Sequence, residues 1–140
     1  MIIKLDMKNA FDHVELSFLY QVLLSFGFSG EFLSLIKSCT DRPWIAPLIN
    51  GKPSNFFQAT RGLRQGCPLS PFLYILMAES LSIILLAELV AGSVPRIKAA
   101  RGVDSINHSL FADDSLLLGG ASLNINRAFN EILQNLCLIS

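Results

Sequence analysis

Apolar residues fall into a few periodic blocks along the chain, separated by turn-forming residues, and the period of each block predicts its element. Residues 2 to 7, Ile-Ile-Lys-Leu-Asp-Met, read as a short buried strand with its charge near the C-terminal end. From Val14 to Ser25, the residues Leu16, Leu19, Tyr20, Leu23 and Leu24 recur at helical spacing, and Gly27 supplies a stop. A second helix is predicted from Ser29, whose hydroxyl suits an N-cap, to the vicinity of Cys39, with Phe32, Leu33, Leu35 and Ile36 as its apolar stripe. Trp44 to Ile49 and Phe56 to Thr60 read as two strands around an Asn50-Gly51 turn, and Pro53 delays the second strand or places it at an edge. After a loop from Arg61 to Pro68, Ser70 and Pro71 mark the start of a long helix that reaches Ala91 and ends at Gly92. Ile106 to Phe111 and Ser115 to Leu118 read as two further strands joined through Ala112-Asp113-Asp114. Ser122 then caps a last helix with Ile125, Ala128, Phe129, Ile132, Leu133 and Leu136 on one face. The predicted class is α+β, a small antiparallel sheet packed on helices.

Composition narrows this picture. The 140 residues suffice for one domain at most, and with 51% hydrophobic and 16% charged residues the chain is too apolar for disorder. A net charge of zero removes the overall basic excess that nucleic-acid binders commonly carry. Locally, Arg96, Lys98 and Arg101 form one basic cluster and Arg61 with Arg64 another; taken alone, both read as solvated loops. Cys39, Cys67 and Cys137 are far apart and odd in number, with no zinc-type spacing, which predicts reduced thiols and an intracellular location, nuclear or cytoplasmic. The opening residues do not form a signal peptide. Pro71 to Ala91 is apolar enough to be mistaken for a membrane span, but Glu79 and Glu88 interrupt it. A carboxylate at mid-membrane costs about 2.5–3.5 kcal/mol, so no membrane partner is expected. Both ends stop in apolar sequence, as expected of a piece of a longer chain.

The candidate chemistry lies in the carboxylates. Asp113 and Asp114 stand side by side between Leu110-Phe111 and Leu116-Leu117-Leu118. Buried charge is expensive unless paired or metal-bound, so this is either a solvated turn or a cation site. Asp6 lies in the first predicted strand. If that strand pairs with the hairpin, all three carboxylates converge at one sheet edge and repel one another unless a cation neutralises them. Magnesium suits hard oxygen ligands with room for water, and two such ions about 4 Å apart can clamp the attacking and leaving oxygens of a phosphoryl transfer. Spacing by itself does not show the convergence. Asp12 is expected to cap the following helix, and His13 and His108 to be structural or exposed.

"KLDMKNAFD", "RGLRQGCPLSPFLY" and "FADD", in that order, resemble motifs A, B and C of the reverse transcriptases of LINE-type, non-LTR retrotransposons, and "FADDSLLL" looks most like plant elements. The resemblance covers nearly the whole chain. It implies a partial reverse transcriptase domain over residues 1–140, a polymerase palm fragment whose β-hairpin carries Asp113 and Asp114. It implies that Asp6, Asp113 and Asp114 are catalytic and bind metal, two Mg2+ ions with Mn2+ as a substitute, and that the main-chain carbonyl of Met7 completes a metal shell. Phe11 matches the aromatic steric gate that screens out a ribose 2′-hydroxyl; ordinary packing is its alternative. Gln65 and Gly66 match the motif B loop that lines the incoming nucleotide and template, and Arg61 and Arg64 are candidates for template or primer phosphates. The implied partners are an RNA template, a DNA primer and deoxynucleoside triphosphates. This chain departs from the family at Asn9, commonly basic, and at Cys67, commonly Asp. Most of the fingers, motif D with its proton-donating lysine, and the thumb of a parent polyprotein are expected to lie outside these residues, leaving the isolated fragment inactive. Two other readings stay open: a catalytically inactive retroelement remnant, and a maturase-like module that binds RNA without synthesis.

Overall fold

The computed structural model describes residues 1–92, 94, 97–98, 102, 105–111 and 114–139, with side chains in the last helix described through residue 135. The element order is β1 (Ile2–Asp6), α1 (Leu16–Ser25), α2 (Gly30–Thr40), β2 (Trp44–Ile45), β3 (Leu48–Ile49), β4 (Lys52–Pro53), β5 (Phe57–Gln58), α3 (Ser70–Ala91), β6 (His108–Phe111), β7 (Asp114–Leu118) and α4 (Leu123–Ile139). The fold is α+β, as expected. It divides into two compact units, Met1–Ala10 with Ile75–Ser140, and Phe11–Tyr74.

The first unit is built on a three-stranded antiparallel sheet in the order β1-β7-β6. The β1–β7 register runs from Ile2 opposite Leu118 to Asp6 opposite Asp114, and β6 pairs His108 with Leu117 and Phe111 with Asp114. Because side chains alternate between faces, the rows Ile3–Leu117–His108 and Leu5–Ser115–Leu110 share one face. Ile3, Leu5, Leu110 and Leu117 join Leu81, Leu85, Val94, Phe129 and Ile132 in the core of this unit. The opposite face carries Lys4 with Leu116, and Asp6 with Asp114 and Phe111. The first strand is therefore not the buried strand expected: it is an edge with one ladder and one packed face, and Ile2 is exposed.

The sixth strand starts at His108 rather than Ile106, which forms only an isolated bridge to Ile97. Between them, the buried side chain of Asn107 donates to the Leu85 carbonyl of α3 (2.7 Å). That bond leaves Asn107 Oδ1 as an acceptor for His108 Nδ1 at 2.6 Å, so Nε2 of a neutral ring accepts from Ser82 Oγ at 2.8 Å. Burial pushes the His108 pKa below its ordinary value, with Glu79 opposing the shift. His108 is thus structural, as expected, and His13 is exposed. Ser122 Oγ caps α4 by accepting from the Ile125 N–H, and on the predicted apolar face Phe129 and Ile132 are buried, with Ile125, Ala128 and Leu133 beside them, while the Leu136 side chain lies outside the described residues.

In the second unit, α1 buries Leu16, Phe18, Leu19, Val22 and Leu23. Its N-cap residue is Glu15, with no side-chain cap bond, so Asp12 does not cap it. The Ser29 hydroxyl does cap α2, accepting from the Phe32 N–H at 3.2 Å. Only Leu33 and Ile36 of the α2 stripe are buried; Phe32 and Leu35 are exposed. The two helices also meet through Tyr20, whose hydroxyl bonds Thr40 and whose ring lies under the Lys37 ammonium.

The expected single hairpin over 44–60 is two short ribbons. Asn50 (φ 52°) and Gly51 (φ 78°) close β3 on β4, both in the left-handed region that such a turn demands. Pro53 pairs with Leu48 instead of delaying the strand; the ladder then lapses and resumes where β2 meets β5. The ribbon side chains Trp44, Leu48, Ile49, Phe56 and Phe57 are exposed.

By length and composition α3 could cross a membrane. It buries Leu73, Tyr74, Leu81, Leu85 and Leu89, and exposes Phe72, Ile75, Ile83, Leu86 and Val90. Of the basic cluster near residue 98, Lys98 is exposed, while Arg96 and Arg101 lie outside the described residues, as do Ala112 and Asp113; of Cys137 only the helical backbone is described.

Candidate functional site

The carboxylate site is set by strand register. Asp6 is the last residue of β1, Asp114 the first of β7, and the two stand directly opposite one another. Opposed Cα atoms in an antiparallel pair are about 4.5–5.5 Å apart, so the two carboxylates, 108 positions apart in sequence by the numbers of that pair, share one end of one sheet face. Asp114 was expected at the tip of a turn and instead begins a strand. Asp113 lies outside the described residues. Directly opposed like charges destabilise a sheet, and here one partial remedy is built in: Lys4 Nζ lies 3.0 Å from Asp114 Oδ1. Lys4 occupies the same face because it is two residues before Asp6. Both partners of this ion pair are well solvated, so it contributes at most about 1 kcal/mol.

Among the described residues no group of three His, Cys, Asp or Glu side chains gathers as a metal site. The two opposed carboxylates do supply the donor chemistry that a hard divalent cation prefers, on an exposed face with room for water. Met7 follows β1 directly and is half-buried, its carbonyl next along the chain from Asp6.

The second cluster belongs to the other unit and is a loop structure. Gly62 N–H donates to the Val14 carbonyl (2.9 Å) and Leu63 N–H to the Phe11 carbonyl (2.8 Å). These bonds lay residues 62–63 against the turn 11–14. Gly62 has φ 89°, and a Cβ built there would sit 2.8 Å from the Asp12 carbonyl oxygen, so this contact admits only glycine. Gln65 Nε2 donates to Asp12 Oδ1 at 3.2 Å. The Phe11 ring stacks on Tyr74, centroids 4.7 Å apart.

Two clefts flank this clamp. One, of about 540 Å³, is lined by Asp12, Pro43, Ile45 and Ala59 together with residues 61–65. The other, of about 310 Å³, is lined by Phe11, Arg64, Gln65, Gly66, Ser70 and Pro71. Phe11, Gln65 and Gly66 are therefore brought together, and Arg61 and Arg64, both exposed, line the larger cleft. Beside them the Cys67 thiol is held below its ordinary pKa, first by the hydrogen bond from the Leu69 backbone, then by Ser70 and the nearby Arg64 charge. The sequence assigns no role to Lys4 or Gly62, and to Asp12 only that of a helix cap. Lys4 was legible from its two-residue spacing to Asp6, whereas Asp12 and Gly62 join segments about fifty positions apart and left no local signal.

The family described as "Reverse transcriptase (RNA-dependent DNA polymerase)" matches residues 1–137, and the chain belongs to this family. Divalent-metal dependence is general in it. The chain is 46% identical, over 68 residues, to an uncharacterized mitochondrial protein of Arabidopsis thaliana, covering 49% of this chain and 56% of that protein. It is 31% identical over 126 residues to the transposon TX1 uncharacterized 149 kDa protein of Xenopus laevis, covering 90% of this chain and 9% of the relative. Over 138 residues it is 27% identical to the retrovirus-related Pol polyprotein from type-2 retrotransposable element R2DM of Drosophila melanogaster, covering 99% of this chain and 12% of the relative. The chain thus spans about half the length of one of these relatives and about a tenth of the others. The R2 and TX1 matches fit the LINE-type, non-LTR resemblance of the motifs.

Proposed function

We propose that these residues are the palm segment of an RNA-directed DNA polymerase that copies an RNA template onto a DNA primer from deoxynucleoside triphosphates. The observation that carries this reading is the register that sets Asp6 against Asp114 in a chain of the reverse transcriptase family. In this reading Asp113 and Asp114 lie in a hairpin facing Asp6, and these three carboxylates with the Met7 carbonyl hold two Mg2+ ions, replaceable by Mn2+. Bound there, the metal supplies a lowered pKa for the primer hydroxyl and charge stabilisation for the leaving pyrophosphate.

The remaining roles fall to the protein alone. Asp6, Asp113 and Asp114 provide fixed negative charge whose mutual repulsion favours the loaded state. Phe11 closes the sugar side of the nucleotide pocket, where an aromatic ring excludes a 2′-hydroxyl by contact. Gln65 and Gly66 line the incoming nucleotide, and Arg61 and Arg64 meet template or primer phosphates across the larger cleft. We read α3 as a core helix with no membrane partner, and the site of action as intracellular, nuclear or cytoplasmic.

The test is substitution at the carboxylates in a polymerase carrying this segment. Asp6→Asn and Asp113→Asn should each lower Mg2+-dependent extension of an RNA-templated primer by at least about a hundredfold, the scale of losing one preorganised electrostatic group at a reacting phosphate. Extension at the unsubstituted rate by either variant removes its metal-ligand role.

A further inference from the structure

We infer that Asp12 is a positioning residue: its carboxylate holds the Gln65 amide in one orientation and so ties the motif B glutamine to the turn that carries Phe11. The inference rests on the nucleotide-pocket reading of Phe11 and Gln65 and adds to it a residue that has no part in that reading.

Three observations converge on the same turn. Gln65 Nε2 donates to Asp12 Oδ1 at 3.2 Å. The backbone on either side is already fixed, by Leu63 N–H on the Phe11 carbonyl and Gly62 N–H on the Val14 carbonyl. The close approach of Gly62 to the Asp12 carbonyl leaves no space for a side chain between the two segments of this clamp. Asp12 is not engaged elsewhere as a helix cap, since α1 begins at Glu15 without one. A carboxylate in a turn pinned from both sides is a stationary acceptor.

The consequence follows from hydrogen-bonding capacity. An ionised carboxylate only accepts, so the amide must turn its NH2 to Asp12. The Gln65 Oε1 is then left as the acceptor for a ligand donor, and the flipped amide is disfavoured. Without Asp12 an exposed glutamine samples several rotamers, and ordering it falls on ligand binding. The bond thus preorganises the side chain before a nucleotide arrives. Gln65 and Phe11 line the same cleft of about 310 Å³, so an anchor beside Phe11 keeps both walls in register.

The experiment is NMR of the full chain with a nucleotide titration. The two Gln65 side-chain amide protons should be distinct in the unsubstituted chain, converge towards free-glutamine shifts in Asp12→Ala, and stay distinct in Asp12→Asn, whose carbonyl oxygen still accepts. The Gly62 and Leu63 backbone amides should keep their shifts in both variants, which separates lost positioning from lost folding. On titration with dTTP and Mg2+, Asp12→Ala and Gln65→Ala should each raise Kd about five- to tenfold, the scale of one ordinary hydrogen bond, and the double variant should be no weaker than Gln65→Ala alone. Unchanged Gln65 protons in Asp12→Ala, or Kd effects that multiply in the double variant, overturn the positioning role and leave the nucleotide pocket standing. A dTTP titration insensitive to Gln65→Ala overturns the pocket reading itself, and with it the consequence drawn for Asp12.

Discussion

Asp6 and Asp12 stand on either side of the division between the two compact units, and their surroundings differ in kind. Asp6 ends a regular strand and faces another carboxylate, Asp114, across the ladder. Asp12 lies in an irregular turn and accepts from a neutral amide. Among the described residues the sheet thus sets two carboxylates and one ammonium together on an exposed face. The loop clamp instead uses its carboxylate to hold a neutral side chain. A strand ladder can oppose two acids because its backbone bonds are satisfied independently of the side chains. A loop lacks that independent support, so the turn is held by the very contacts that shape the pocket: two backbone hydrogen bonds, one glycine and one carboxylate.

The contrast can be broken most severely in the loop. Gly62→Ala places a methyl group against immovable backbone at a positive φ. It should destabilise the second unit by about 2–3 kcal/mol, read as a lower urea midpoint together with lost protection of the Leu63 amide. An unchanged midpoint would mean that the clamp yields, and that the loop is no more constrained than an ordinary surface turn.

The sheet should instead respond to pH through His108. Its folded pKa lies below the ordinary histidine value of 6.5, so between the two values the unfolded chain binds the extra proton. Stability is therefore complete above about pH 6.5 and declines as pH falls through that value towards the folded pKa. The urea midpoint of the first unit should fall between pH 7.5 and pH 5, and His108→Gln should flatten the part of that fall that belongs to the Ser82–His108–Asn107 chain. The same slope in the variant would assign the acid sensitivity to other groups.

The smallest effect sharpens the comparison within the sheet. Ser115 Oγ is buried on the core face and has no hydrogen-bond partner among the described residues. Ser115→Ala removes that unpaired hydroxyl and should raise stability by up to about 1 kcal/mol. A loss of stability would show that the hydroxyl is engaged after all, and that the sheet interior is not purely a packing surface.

Much of this architecture was legible along the chain. Ser29 and Ser122 cap helices where their spacing to apolar runs put them, and Asn50-Gly51 closes a turn because both residues tolerate positive φ. Those are local decisions, made over three or four residues. The errors were of another sort. Asp12 looked like a cap because Asp before a helix commonly is one, but its carboxylate found a donor about fifty positions away. The ribbon 44–58 looked like one hairpin because nothing local revealed that its ladder would lapse after Pro53. The first strand looked buried because apolar content does not tell an edge from a centre.

The sequence by itself determined which residues could do chemistry: the acids near strand ends, the aromatic after the first of them, and the glycine-rich loop with its glutamine, all in the order of the reverse transcriptase motifs. Tertiary structure alone decided which of them meet. Register set Asp6 opposite Asp114 and brought Lys4 to their face, and a glycine contact laid Gln65 beside Asp12. The physical reason is range: capping and turn preferences act between near neighbours, whereas strand pairing and loop contact depend on how the whole chain buries its apolar surface.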